Sequence, residues 1–478
     1  MWQENNTMLK ESVNTAPDVL VIGAGSAGFG AAIAAAEKGA SVVMAGEGTI
    51  GGTCVNVGCV PSKTMIRAVE TLYQASHASR FNGIAGNAKL IDWKALVAQK
   101  QTLVEKLRKA KYIDVLPAYE NITYVEGHVQ FTPKGIRIGD IVYTPKKTII
   151  ATGSSASLPP IDGMLNIPYL TSTTALELEN QPESLLIIGG GIIGVELGQM
   201  FARAGTRVTI CCRSRLVPET EPEISEALAV YMRDEGIGIC EGIGYQKIEK
   251  TNKGIRLIHN KGGETRIIEA EKVLVATGRR PNTANLGLEE IGIELLKNGG
   301  IKVNEYMQSS RPDVYAAGDA TGMDMFVYMS AYGSKLAALN ALAGNKHQYD
   351  DSAMPAVVFT DPQVADVGLT EADAKDQGYN VKTSTITLDH VPRFIAARDT
   401  RGLIKLVADR KTDALLGAHI LAPEAGDLIQ TAVMALKSGF TTEALANTIF
   451  PYLTGVEGLK LAAQTFDKDV SKLSCCAG

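Results

Sequence analysis

The chain has 478 residues, of which 45% are apolar and 21% charged, with a net charge of −5. At roughly 150 residues per domain this length implies about three domains, and the composition excludes disorder, collagen and an all-coiled-coil chain. The acidic balance leaves no footprint for a nucleic-acid partner. Glycine is abundant, with 48 residues, which points to many places where backbone turns tightly or approaches a ligand.

Residues 1–16 read as a flexible N-terminal extension. Asp18–Ile22 is a short apolar run expected as a buried parallel strand. Gly23-Ala-Gly25-Ser-Ala-Gly28 follows, then an alanine-rich helix to Lys38 and a second strand from Ala40 to Met44. The stretch from Val19 to Ala36 carries no charge, but Glu4, Glu11 and Asp18 outweigh Lys10 before it, the wrong sign for a signal peptide. Its glycines at 23, 25, 28 and 30 suit a turn better than a lipid-facing helix. The cysteines are Cys54, Cys59, the pairs Cys211–Cys212 and Cys475–Cys476, and Cys240, an odd count with no framework of a secreted scaffold. A cytoplasmic location with no membrane partner is therefore expected.

The same strand–glycine–helix–strand grammar recurs at Ser184–Ile188, Gly189-Gly-Gly191-Ile-Ile-Gly194, a helix to Arg203 and Thr206–Ile210. In such a unit the first glycine permits the turn and the second lets a pyrophosphate approach the backbone. The third lets helix and strand pack, with the phosphates over the helix N-terminus. An acid ending the second strand would bind the ribose hydroxyls, whereas here Arg213 and Arg215 follow Cys211–Cys212, favouring the 2′-phosphate of NADPH. Ala151-Thr-Gly153 and Ala276-Thr-Gly278 follow apolar runs, and Ala317-Gly-Asp319 ends another, where the carboxylate can reach a ribityl chain or phosphate. After residue 345 strands at Val357–Phe359, Ile404–Val407 and Gly417–Ile420, with helices near 370–377, 424–438 and 441–447, mark a separate α+β domain. Cys211, Cys212 and Cys240 lie in or beside apolar runs and read as structural.

Gly51-Gly-Thr53-Cys54-Val-Asn-Val-Gly-Cys59-Val-Pro-Ser-Lys63 is the most informative stretch. Cysteines five apart stand about 140° apart on an ideal helix, so they bridge only if the segment departs from a regular one. Gly58 and Pro61 suit such a departure, and a pair that cycles between oxidised and reduced forms fits better than a structural disulfide. This motif, with both glycine turns, both Ala-Thr-Gly segments and the Ala-Gly-Asp, resembles the pyridine nucleotide–disulfide oxidoreductases over residues 17–478. The resemblance implies an α/β fold with two Rossmann-like domains, binding FAD and NADPH, plus a C-terminal α+β dimerisation domain. It places the FAD-binding domain at 17–155 and 276–345, the NADPH-binding domain at 156–275 and the dimerisation domain at 346–478. It also implies a homodimer with a shared active site, Cys59 against the flavin, Cys54 as the exchanging thiol, and Lys63 near the flavin with Glu196 beside it. Thr53, Val129 and Val327 take positions that touch FAD. The family's FAD-ribose glutamate would fall at position 46, which is Gly, so Glu47 is expected to take the role through a turn shifted by one.

Disulfide-reducing members carry His-Pro-Thr-x-x-Glu near the C-terminus as a proton shuttle. Here the segment is Tyr452-Leu-Thr-Gly-Val-Glu457, and a tyrosine cannot cycle a proton near neutrality. The tail Ser474-Cys475-Cys476-Ala-Gly478 instead offers two soft thiolates to a soft metal ion. The tail, Tyr452 and Tyr112 resemble the mercuric reductases of that family. The resemblance implies Hg(II), presented as small-thiol complexes, passing from Cys475 and Cys476 to Cys54 and Cys59 past Tyr112 and Tyr452. The N-terminal metal-binding module that many mercuric reductases carry does not occur in residues 1–17. Two other readings stay open at this point, a disulfide reductase using the tail cysteines as a second redox pair and a flavin-bearing metal sequestrant.

Overall fold

The computed structural model describes residues 14–470, so the expectations for Cys475 and Cys476 lie outside the described residues. The described chain divides into two compact units. The first holds residues up to Val60, Gln101–Ser155 and Arg279–Asp350. Its centre is a five-stranded parallel sheet, ordered Val314–Ala316, Lys147–Ile150, Val19–Ile22, Val42–Gly46 and Ile122–Glu126. The inner strands are buried on both faces, which explains why they read as unbroken apolar runs. An antiparallel meander, Val129–Thr132, Gly135–Ile138 and Ile141–Tyr143, packs Val129, Phe131, Ile136, Ile138 and Tyr143 into the same core.

The Ser26–Ala36 helix packs on the Val327–Ala343 helix, and a side chain at Gly30 would meet Ser334 Oγ at 2.5 Å. The first strand starts at Val19 and the second at Val42, one and two residues later than expected. Asp18 and Ser41 are occupied with each other instead: Ser41 N–H and Oγ–H donate to Asp18 Oδ2 at 2.9 and 2.8 Å. The helix stops at Ala36, and the chain turns through Gly39 at φ 81°.

The second unit holds Pro61–Lys100, Ala156–Gly278 and the chain from Asp351. It contains a four-stranded parallel sheet, ordered Gly238–Cys240, Arg207–Cys211, Ser184–Ile188 and Lys272–Val275. An antiparallel meander spans Gly244–Thr251, Gly254–Lys261 and Glu264–Ala270. A five-stranded antiparallel sheet is ordered Pro355–Val358, Gln363–Gly368, Leu415–Ala422, Leu403–Asp409 and Val381–Thr387, with the Ala425–Lys437 helix against it. Short helices at Glu371–Asp376 and Thr442–Ala446 each start on a threonine whose side chain accepts a backbone N–H. Its first strand ends at Val358, not Phe359, because the Phe359 N–H turns to Glu196 Oε1 at 2.9 Å.

Candidate functional site

Both glycine turns are cradles that only glycine can form. In the first unit a Cβ on Gly23 would lie 2.1 Å from the Ala151 carbonyl oxygen, and one on Gly28 1.8 Å from that of Gly23. The Ser26–Ala36 helix starts at Gly25 with no side chain capping it, so its first N–H groups are offered to a ligand. In the second unit the pattern repeats: Gly189 would meet Ala276 O at 2.2 Å and Gly194 would meet Gly189 O at 2.1 Å, while Gly191 faces open space. The Ile192–Arg203 helix there is likewise uncapped. These two turns fit two pyrophosphates.

Around the first turn, Gly153 and Asp319 sit just past the ends of neighbouring strands, Lys147–Ile150 and Val314–Ala316. Ser154 Oγ–H donates to Asp319 at 2.5 Å, and Arg279 Nε donates to Ser154 Oγ at 2.7 Å. Ser154 and Arg279 were not singled out in the sequence, although each follows an Ala-Thr-Gly directly. Val129 opens the buried meander and Val327 opens the long helix. Glu47 follows the second strand, exposed, and lies 3.0 Å from His128 Nδ1. A side chain at 46 would meet Ala24 Cβ at 2.6 Å and Tyr124 Oη at 3.0 Å, a packing reason for glycine there.

The cysteine segment departs from a regular helix. A helix over Gly52–Val57 carries Thr53 and Cys54, breaks at Gly58 (φ −123°, ψ −112°), and a new helix starts at Cys59. Both cysteines are half-buried. Tyr112 lies on a single π turn, Lys109–Ile113, with its hydroxyl 3.3 Å from Ser26 Oγ and its ring edge-on to Phe29 at 4.9 Å. Burial pushes its phenol above the ordinary value, the Ser26 bond works against that, and negative charge on Cys54 and Cys59 adds to the rise. The tyrosine therefore stands within electrostatic reach of both sulfurs. Tyr328 feels Cys59 in the same way, after the larger effects of burial and Asp324.

In the second unit Lys63 Nζ donates to Glu196 Oε2 at 2.7 Å and lies 4.8 Å from the centre of the Phe359 ring. The Glu196 side chain is only 4% exposed and also accepts the Phe359 N–H, so lysine and carboxylate fix one another. Gly278 follows the Lys272–Val275 strand. Arg213 is exposed, whereas Arg215 donates to the Pro218 and Thr220 carbonyls, both at 2.7 Å. Tyr452 is 59% exposed, and Glu457 is buried at the start of the Glu457–Gln464 helix, its Oε2 without a hydrogen-bond partner.

The sequence pattern of the pyridine nucleotide-disulphide oxidoreductases matches residues 17–338, and that of their dimerisation domain matches residues 354–463. The chain belongs to this family. FAD and NADPH are the cofactors of this oxidoreductase. It is 47% identical over 463 residues to a mercuric reductase of Staphylococcus aureus, covering 96% of this chain and 84% of that one. It is 45% identical over 474 residues to a mercuric reductase of Streptomyces lividans, covering 97% and 99%. Among solved structures, the Cu(II) complex of the HOCl-induced flavoprotein disulfide reductase RclA from Escherichia coli superimposes with a TM-score of 0.83. The two share 28% identity, over 94% of this chain and 99% of that one. No helix among the described residues is long and apolar enough to cross a membrane.

Proposed function

We propose that this oxidoreductase reduces Hg(II) to volatile Hg(0) at the expense of NADPH, in the cytoplasm, as a detoxifying enzyme. FAD, held at the first turn by Gly23, Gly25, Gly28 and Asp319, would supply two-electron transfer from NADPH to the Cys54–Cys59 centre and to the ion held there. Cys475 and Cys476 of the partner subunit take Hg(II) from small thiols and hand it to Cys54 and Cys59. Each exchange replaces one thiolate with another, so the ion never faces water unligated. Tyr112, held by Ser26 and Phe29 beside both sulfurs, lines the receiving end, and Tyr452 lines the delivering end. Lys63, fixed by Glu196, supplies positive charge one helical turn after Cys59.

The observation that carries the reading is Tyr452 standing, largely exposed, where a disulfide-reducing relative needs a histidine to protonate a leaving thiolate. Ile449 and Leu453 are exposed with it, apolar surface suited to cover by a second copy of the chain. The test is NADPH oxidation by the purified flavoprotein with Hg(II) and excess small thiol while mercury vapour is trapped. Vapour matching NADPH one for one is the expected result. NADPH consumed without vapour would make the protein a disulfide reductase or an oxidase. Replacing Cys475 and Cys476 by Ala should preserve reduction of the flavin by NADPH but slow turnover of thiol-complexed mercury by about tenfold or more, or about 1.4 kcal/mol. Undiminished turnover would remove the relay.

A further inference from the structure

Three cysteines outside the redox motif cluster where the second glycine turn is held. Cys211 ends the Arg207–Cys211 strand and is paired in register with Cys240, which ends the Gly238–Cys240 strand. These strands are parallel neighbours, so paired residues project from the same face, with backbones about 4.8 Å apart. Cys211 is fully buried and Cys240 partly accessible; both pack into the apolar cluster around Ile243 and Ile255. Each thiol stands within the electrostatic reach of the other. The neighbouring Cys211 thiol, more than any other influence, makes Cys240 the more acidic partner against the opposing effect of burial, and Lys261, Arg266 and Arg233 add to it.

The backbone beneath the pair is the floor of the NADPH turn. The Cys211 carbonyl accepts the Gly189 N–H at 2.8 Å and the Tyr245 hydroxyl at 2.8 Å, and the Cys212 N–H donates to the Cys240 carbonyl at 2.9 Å. Arg213 follows at once. Cys212 points to the other side of the sheet, towards Gly190, and stays outside the pair.

We propose that Cys211 and Cys240 form a second soft-metal site, which holds one two-coordinate ion such as Hg(II) between paired strand ends and thereby weakens NADPH binding. Thiolate sulfur is the donor that soft ions select, and two sulfurs on one face of adjacent strands match a two-coordinate ion. Loading is ligand exchange: a bis-thiolate Hg(II) complex gives its ion to the two protein sulfurs, and their two protons leave on the two displaced small thiols. No electron moves. Seating the ion between the two sulfurs spreads the paired strand ends, which shifts the one that holds Gly189 and presents Arg213. The site would slow the enzyme when soft metal exceeds what the catalytic centre clears.

The test uses the full-length flavoprotein with Cys54, Cys59, Cys475 and Cys476 all replaced by Ala, which isolates this pair from the catalytic thiols. After exposure to Hg(II) and washing with small thiol, retained mercury is counted per chain, and the NADPH concentration that half-saturates flavin reduction is measured before and after. One ion per chain and a several-fold rise in that concentration are expected, and both should vanish with Cys240→Ser or, as a packing control, Cys240→Val. Mercury retained equally after either substitution, none retained at all, or retention without any change in the NADPH response would each overturn the proposal. Because no mercury is reduced in this background, failure here leaves the proposed catalytic activity untouched, and the reverse also holds.

Discussion

Arg213 and Arg215 are equivalent as letters but not in space. Arg215 has committed one terminal nitrogen, Nη2, to two carbonyls of the turn that follows, at Pro218 and Thr220, while Arg213 stays exposed. Of the two, Arg213 is the one proposed to meet a 2′-phosphate. A charge-assisted hydrogen bond contributes about 1.5–3 kcal/mol, so Arg213→Ala should raise the KM for NADPH by roughly 10- to 100-fold and narrow the preference over NADH. Arg215→Ala should leave the NADPH/NADH ratio of kcat/KM alone and lower the thermal midpoint instead. Equal loss of preference in both variants would refute the distinction. That no acid follows the strand was legible in the sequence. Which arginine is free was not, since it depends on how residues 217–220 fold back. Position 46 is similar: the missing glutamate was visible, but the contact with Ala24 and Tyr124 that bars a side chain there comes from a turn and a strand distant in sequence.

At the scale of elements, the two glycine-turn units were legible almost strand by strand, because periodicity and glycine spacing are local signals. Boundaries slipped where a side chain outbid the ladder, as Asp18 does with Ser41 and Glu196 with Phe359. The break at Gly58 between two helices was foreseeable from the cysteine spacing. The position of Tyr112 over that break was not, because its π turn and the Ser26 hydroxyl meet only in the folded unit. The twin turns also give a paired prediction. Gly194→Ala drives a methyl to 2.1 Å from Gly189 O, and Gly28→Ala drives one to 1.8 Å from Gly23 O. Each helix must then retreat from its strand, at about 1–3 kcal/mol of overpacking. Gly194→Ala should purify with a full complement of FAD yet be reduced poorly by NADPH, whereas Gly28→Ala should lose FAD itself. The flavin absorbance per chain and the rate of bleaching by NADPH separate the two, and loss of FAD from Gly194→Ala would contradict the assignment of the second turn to NADPH.

At the scale of the molecule, stability of the second unit depends on a buried ammonium. Lys405, 2% exposed on a central strand of the antiparallel sheet, donates to Glu221, Glu223 and Glu371 at 3.0, 2.9 and 2.9 Å. It links the start of the Pro222–Asp234 helix to the C-terminal sheet, and the three acids gather around its ammonium. Burial opposes charge on Glu223, yet Lys405 outweighs it and holds that carboxyl below the usual range; Lys375 first and then Lys405 do the same for Glu371. Carboxyls depressed in the folded state contribute stability that is present above their unfolded pKa and fades as the pH falls through the folded one. Lys405→Met should therefore cost on the order of 3 kcal/mol at pH 7, since it leaves like charges gathered around the lost ammonium, with only Lys375 still paired to Glu371. Acidification towards pH 4 should shrink that gap from both sides, because the native protein loses its ion pairs while the variant loses its repulsion. Urea midpoints followed by circular dichroism at the two pH values decide it: a gap that closes on acidification assigns the cost to charge, and one that persists unchanged assigns it to packing of the lysine stem.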